Sequence, residues 1–195
     1  VEERIEIPEG WARWDLQPIE PGGRRSADEL MLAHGKLAGT LMTRRVVERP
    51  AGSRLRKRTL SAAVRGGFAL MNRRDYRSLL ASIYAEEVEL DYEDLFLDFG
   101  GVQHGIEEVR HYLVSFEEAY SSVVYRPVEI VDPGGAVFAG RVDTVVTGRS
   151  SGIESRVHQG IIWALEGGRV RHQYVFREFG AALAKLRELA AATAP

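Results

Sequence analysis

Residues 123–131, VVYRPVEIV, run into the turn Asp132-Pro133-Gly134-Gly135. Residues 136–147, AVFAGRVDTVVT, lead to a turn ending at Gly152, residues 153–165, IESRVHQGIIWAL, reach Gly167-Gly168, and residues 170–176, VRHQYVF, close the series. Four β-rich runs separated by short turns require hairpins, hence an antiparallel meander. Strands of this length favour a strongly twisted sheet that curls around whatever covers its inner face.

Upstream of the meander the periodicity changes. Leu60, Val64, Phe68 and Met71 recur at helical spacing, and Asp75 caps a second amphipathic run through Leu79, Leu80 and Ile83. Val88, Leu90 and Tyr92 alternate with Glu87, Glu89 and Asp91, which predicts a strand with one wet face. After a loop bearing His104 and Gly105, the positions Ile106, Val109, Leu113 and Phe116 define a third amphipathic helix. An alanine-rich helix over 179–190 ends the pattern. The fold class is therefore α+β, a curved antiparallel sheet wrapped around helices.

The N-terminal part reads differently. Residues 1–55 are expected to form an extension, and residues 56–195 the pocket domain. Pro8, Pro18, Pro21, Gly10, Gly22 and Gly23 argue for an irregular arm over 1–25, anchored by Trp11 and Trp14. Ser26-Ala27-Asp28-Glu29 spells a capping box that opens a helix over 27–43. This helix is expected to cover the open end of the curled sheet.

Composition bounds what the chain does. With 195 residues and 45% hydrophobic side chains it can bury one sizeable core but hardly two. The absence of cysteine removes disulfides, thiolate catalysis and Cys-based zinc sites, and fits a cytoplasmic protein. No apolar run approaches the roughly 20 residues of a membrane span, and Val1-Glu2-Glu3-Arg4 does not resemble a signal peptide. A soluble, unexported protein with no membrane partner is expected. Residues 1–80 carry 16 basic against 10 acidic side chains and residues 81–195 carry 10 against 18, so the two parts complement each other. The basic run Arg44 to Arg58 lacks interleaved aromatics, which argues against nucleic acid as a partner. The glycine pairs sit in hairpin turns and His104 and His111 have no complete ligand spacing, so neither a cofactor nor a metal is expected.

The segments Asn72-Arg73-Arg74-Asp75, Ile83 to Leu90 (IYAEEVEL), His104 to Val109 (HGIEEV), Gly152-Ile153-Glu154 and Trp163 to Val170 (WALEGGRV) together resemble the SnoaL-like branch of the nuclear transport factor 2-like superfamily, over roughly residues 56–188. That resemblance implies a cone-shaped α+β barrel with a mostly apolar pocket inside it, a hydrophobic small molecule as ligand, and often a homodimer. It does not imply one reaction, because the superfamily includes ketosteroid isomerase, polyketide cyclases, limonene epoxide hydrolase, dehydratases and members that only bind.

Gly140 to Val145 (GRVDTV) is similar to the epoxide-hydrolase stretch carrying an arginine and a water-gripping aspartate. Alternation puts Arg141, Asp143 and Val145 on one face. If that face is concave, Asp143 acts as acid or base with Arg141 as its partner; the alternative is a cross-strand or interfacial ion pair. The resemblance places Leu90 and Tyr92 where that enzyme has its tyrosine and asparagine, and Val175, His172 or Gln173 where it has its second aspartate. Against ketosteroid isomerase, Phe68 falls near the oxyanion tyrosine and Gln159 near the oxyanion acid. Tyr92 is a candidate hydrogen-bond donor and His172 a candidate proton shuttle. Tyr112, Phe116 and Trp163 are candidate pocket walls.

Two readings follow. One is a cofactor-free acid–base enzyme of cyclase, isomerase, dehydratase or hydrolase type acting on a hydrophobic oxygenated substrate. The other is a non-catalytic ligand-binding or dimerisation module, with Phe138, Val142 and Val146 as an apolar stripe that a homodimer buries through the outer sheet face.

Overall fold

The computed structural model describes residues 5–19, 25–32, 40, 42–92 and 101–192. Their elements are β1 (Ala12–Asp15), α1 (Ala27–Leu32), a π-helical turn (Thr43–Val47), α2 (Arg54–Asn72), α3 (Tyr76–Ile83), β2 (Tyr84–Tyr92), β3 (Gly101–His104), α4 (Gly105–Ala119), β4 (Tyr120–Asp132), β5 (Val137–Gly148), β6 (Glu154–Glu166), β7 (Arg169–Phe176) and α5 (Phe179–Ala192). One seven-stranded sheet has the order β1-β4-β5-β6-β7-β2-β3. Only the β2–β7 pairing is parallel among these strands. The meander is as expected, and its last hairpin turns on Gly167 and Gly168, whose φ of 56° and 77° suits glycine at both corners.

Alternation, together with one bulge, decides which side chains enter the cone. Pairing shifts between Pro127 and Glu129, so Tyr125 and Ile130 both join the inner core although five residues separate them. On β5 the inner positions are Phe138, Val142 and Val146, exposed by 3%, 0% and 3%. They are core, not the dimer stripe that alternation alone allowed, because the helices rather than a second subunit cover this face. The outer face near the start of β5 has its own cover. There Val131, Val137, Ala139, Ile162 and Phe176 pack beneath Ala182, Leu183 and Leu186 of α5, joined by Ile7 and Trp11.

The three core helices sit inside the curve. Asn72, at the end of α2, donates from its side-chain amide to the Tyr125 carbonyl (2.9 Å) and accepts from the Tyr125 N–H (2.8 Å). This satisfies a stretch of β4 edge that β1 is too short to reach. Asp75 caps α3 by accepting from the Ser78 N–H at 3.2 Å, as its spacing predicts.

The N-terminal arm is not wholly irregular. Ala12 to Asp15 pair with Glu129 to Asp132 as an edge strand, too short to show as an alternating pattern among prolines and glycines. Trp14 is buried and donates its indole N–H to the Ser61 hydroxyl at 2.9 Å. The capping box forms: the Glu29 N–H donates to Ser26 Oγ and the Ser26 N–H donates to Glu29 Oε2. Of the helix expected over 27–43, the described parts are α1, the helical Thr40 and Met42, and Thr43, which opens the π-helical turn; residues 33–39 and 41 lie outside the described residues. Glu29 also accepts from Arg73 Nε (2.6 Å), which ties α1 to the end of α2. The strand β3 falls where the sequence reads as loop, since four residues are too few for a period-2 signal.

One buried ion pair joins the arm, helix and sheet. Arg56 and Asp132 are both fully buried, and the guanidinium donates to the carboxylate through Nε (2.8 Å) and Nη2 (2.6 Å). Nη1 donates to the carbonyls of Val46 and Gly135, and Asp132 also accepts from the N–H groups of Gly52 and Gly134. Arg56 of the basic run thus supplies an internal strut, while Arg44, Arg45, Arg49, Arg54, Lys57 and Arg58 are exposed. No described helix is long and apolar enough to cross a membrane.

Candidate functional site: an apolar pocket with carboxamide anchors

The cone encloses a pocket between α2, α3 and the inner sheet face. Its walls are Val64, Phe68 and Met71 of α2, Leu79 and Ile83 of α3, Tyr84 and Tyr92 of β2, Tyr125, Phe138, Ile161, Trp163, Leu165, Val170 and Val175. Leu32 from α1 and Met42 add to the lining, so the N-terminal segment takes part in enclosing the pocket. The aromatic walls are fixed against one another. Trp163 stacks on Phe138 at 5.1 Å between centroids and meets Phe68 edge-on at 6.3 Å. Gly140 makes room for this indole, since a Cβ there would lie 3.0 Å from Trp163 Cζ3.

The polar lining is sparse and uncharged. Gln159 and Gln173 reach the pocket with 4% and 6% exposure. Gln173 Oε1 accepts from the Tyr84 hydroxyl (2.8 Å) and from the Trp163 indole N–H (2.9 Å). Burial raises the Tyr84 pKa well beyond the usual phenol range, the Gln173 hydrogen bond only partly opposing it. Burial also raises those of Tyr92 and Tyr125, with neighbouring tyrosines adding to the effect. These phenols are neutral hydrogen-bonding groups across the physiological range. Among the described residues no Asp, Glu, His, Lys or Arg lines this pocket, and no cluster of acidic, histidine or cysteine side chains is arranged to hold a metal.

Six of the residues singled out from sequence meet here: Phe68, Tyr92, Gln159, Trp163, Gln173 and Val175. Leu90, Tyr112 and Phe116 are buried in the core but do not line the pocket. Tyr112 stacks behind Tyr92 at 4.4 Å, and Phe116 lies beyond it at 6.3 Å. Tyr84, one of the aromatics that the sequence offers as core or pocket wall, lines the pocket, and Tyr125 is a wall residue that the sequence did not point to. Tyr84 shares parity with Val88, Leu90 and Tyr92, a usable signal, whereas Tyr125 lies on a strand whose bulge changes face.

The proposed acid–base set lies elsewhere. Arg141, Asp143 and Val145 are on the outer face, because Phe138, Val142 and Val146 take the inner one. Asp143 pairs across the strands with His158 (2.8 Å), the two side chains being 36% and 54% exposed. His172 is likewise on the outer face of β7, 3.2 Å from Glu89. Arg141 does not partner Asp143 but donates Nε to Glu129 at 2.8 Å, and Glu129 also accepts from Arg13 of β1. These are the cross-strand ion pairs of the structural alternative.

The Arg13–Glu129–Arg141 ladder has a pH signature. Burial alone would raise the Glu129 pKa, but the hydrogen bonds and charges of Arg13 and Arg141 outweigh it and hold the carboxyl below its usual value. A depressed folded-state pKa contributes stability that is present above the unfolded value, about 4.3, and is lost as pH falls toward the folded one. Glu129→Gln should therefore show a shallower loss of urea midpoint below about pH 4.3 than the parent. Parallel pH slopes for parent and variant would remove this role.

A curved, mainly antiparallel sheet closed by helices around an apolar pocket defines the cone class of small-molecule-pocket folds. Comparison with solved structures assigns it to the nuclear transport factor 2-like fold, as the motif resemblance implied. The chain is similar to a nuclear transport factor 2-like protein of unknown function from Burkholderia pseudomallei, with 21% identity, a TM-score of 0.53, and coverage of 63% of this chain and 93% of that one. It is similar to TerC, crystallised with polyporic acid, with 17% identity, a TM-score of 0.53, and coverage of 65% and 95%. A nuclear transport factor 2-like protein from Burkholderia thailandensis shares 19% identity at a TM-score of 0.53, covering 66% and 93%. No protein-family model and no curated protein matches the sequence. About two thirds of this chain spans these folds almost end to end, so about a third of the chain lies outside the shared fold.

Proposed function

We propose that the chain is a binding protein for neutral, mainly apolar small molecules, and that its pocket performs no acid–base chemistry. The observation that supports this is the chemistry of the lining. A general acid or base must reach the reacting atom and change protonation near the working pH. Here the polar side chains lining the cavity are carboxamides, the Ser82 hydroxyl, which donates to the Ser78 carbonyl, and phenols whose pKa burial raises, while Asp143, His158 and His172 sit on the other side of the sheet.

The test is calorimetric titration of the full chain with tetralin, a neutral bicyclic hydrocarbon, at pH 5.5, 7.0 and 8.5. Saturable binding is expected, with a Kd that changes less than about twofold across the series, because no lining group titrates there. Asp143→Asn is expected to leave that Kd unchanged and to cost no more than about 1 kcal/mol of stability, the usual range for an exposed pair. A Kd that moves tenfold with pH, or is altered by Asp143→Asn, would return the acid–base enzyme to the front.

A further inference from the structure

Gln173 is held in a way that dictates what it can offer a ligand. Its carboxamide sits inside the pocket, more than nine-tenths buried, beside the Trp163 indole and the Tyr84 hydroxyl. An indole N–H can only donate, so the amide atom 2.9 Å from it is the oxygen. The Tyr84 hydroxyl, 2.8 Å from the same oxygen, takes its second lone pair. The NH2 end is thereby fixed, and no described residue accepts from it. Both strands that carry this arrangement are inner and rigidly paired, with Trp163 directly opposite Gln173.

We propose that Gln173 is the polar anchor of the pocket and that it selects a ligand bearing a hydrogen-bond acceptor: a neutral ring ketone, quinone or lactone whose flat body lies among Trp163, Phe68 and Tyr92. The inference rests on the pocket being a ligand site, and it adds the direction of the hydrogen bond. A buried donor pair with no protein acceptor is relieved by a carbonyl oxygen, which brings no donor of its own. A hydrocarbon of the same shape leaves the NH2 unpaired. A carboxylate would place a full charge among aromatic walls with no cation to meet it. Gln159, 4% exposed and without a partner among the described residues, faces the same cavity from β6. Nothing fixes its amide, so it can turn to suit either a donor or an acceptor and does not select between them.

The test compares 1-tetralone with tetralin, two bicyclic probes that differ by one carbonyl, by titration against the full chain. The ketone is expected to bind roughly five- to tenfold more tightly, the usual return of one hydrogen bond. Gln173→Met should bring that ratio to about one, whereas Asp143→Asn, on the outer sheet face, should leave it standing. In the unsubstituted protein, the 15N-labelled Gln173 side-chain resonances should shift with tetralone and not with tetralin, a readout independent of how any variant folds. Equal affinities for the two probes, or a ratio that survives Gln173→Met, would overturn the anchor while leaving the pocket reading intact. Failure of both probes to bind would overturn the pocket reading and the anchor with it.

Discussion

Arg56→Met is expected to destabilise the fold by about 3–5 kcal/mol, the usual cost of leaving one member of a buried ion pair without its partner. Asp132 is fully buried, and two of its bonds come from the guanidinium. Without them the carboxylate keeps the Gly52 and Gly134 N–H groups, too few to replace water. The Val46 and Gly135 carbonyls lose a donor at the same time. For a chain of this size the loss corresponds to a fall in Tm of roughly 6–20 °C. The double variant Arg56→Met/Asp132→Leu should recover much of it, since no unpaired charge is left in the interior, although the Val46 and Gly135 carbonyls and the Gly52 and Gly134 N–H groups lose their side-chain partners. A single variant that melts within about 2 °C of the parent would show that water reaches this pair and that the strut is dispensable.

Trp163→Ala should cost a similar amount, about 3–5 kcal/mol, by opening a cavity at the centre of the pocket wall. The indole is wedged between Phe138, Phe68 and the space over Gly140, so the surroundings have little freedom to collapse. The change also removes one of the two donors that orient Gln173. Trp163→Phe should restore most of the stability through ring packing, yet lower the preference for tetralone over tetralin because the carboxamide is then free to turn. Thermal melts separate the packing effect, and the probe ratio separates the orienting one. A Trp163→Ala protein as stable as the parent would mean that the wall is already loosely packed.

Much of this molecule is visible in the order of its residues. The spacing of Leu60, Val64, Phe68 and Met71 is local to one helix. The capping box at Ser26 and the Asp75 cap involve atoms three residues apart, and the Gly167-Gly168 turn needs only its own two torsions. The ordered motifs from Asn72 to Val170 carried the recognition of the cone, and of the six pocket residues Gln159, Trp163, Gln173 and Val175 alternate along β6 and β7, while Phe68 belongs to the apolar face of α2 and Tyr92 to that of β2.

The reading stopped at relations between strands. Parity groups Arg141 with Asp143 and Phe138 with Val142, but it is symmetric, and which group faces inward depends on where the helices pack. Once α2 and α3 fill the concave side, the apolar set must face them, and the charged set is left on the outer face. There Glu129 and His158, 12 and 15 residues away along the chain, become its partners. The bulge near Val128 and the four-residue β1 and β3 leave no periodic trace, because one extra residue or one short edge pairing alters geometry without altering composition. Arg56 reads as one cation in a basic run until Asp132 is brought against it from the far end of β4. Local torsional and hydropathic preference thus named the elements and their order; the choice of inner face, the ion-pair partners and the fixed amide of Gln173 arise from contacts over tens of residues, which exist only after the cone has closed.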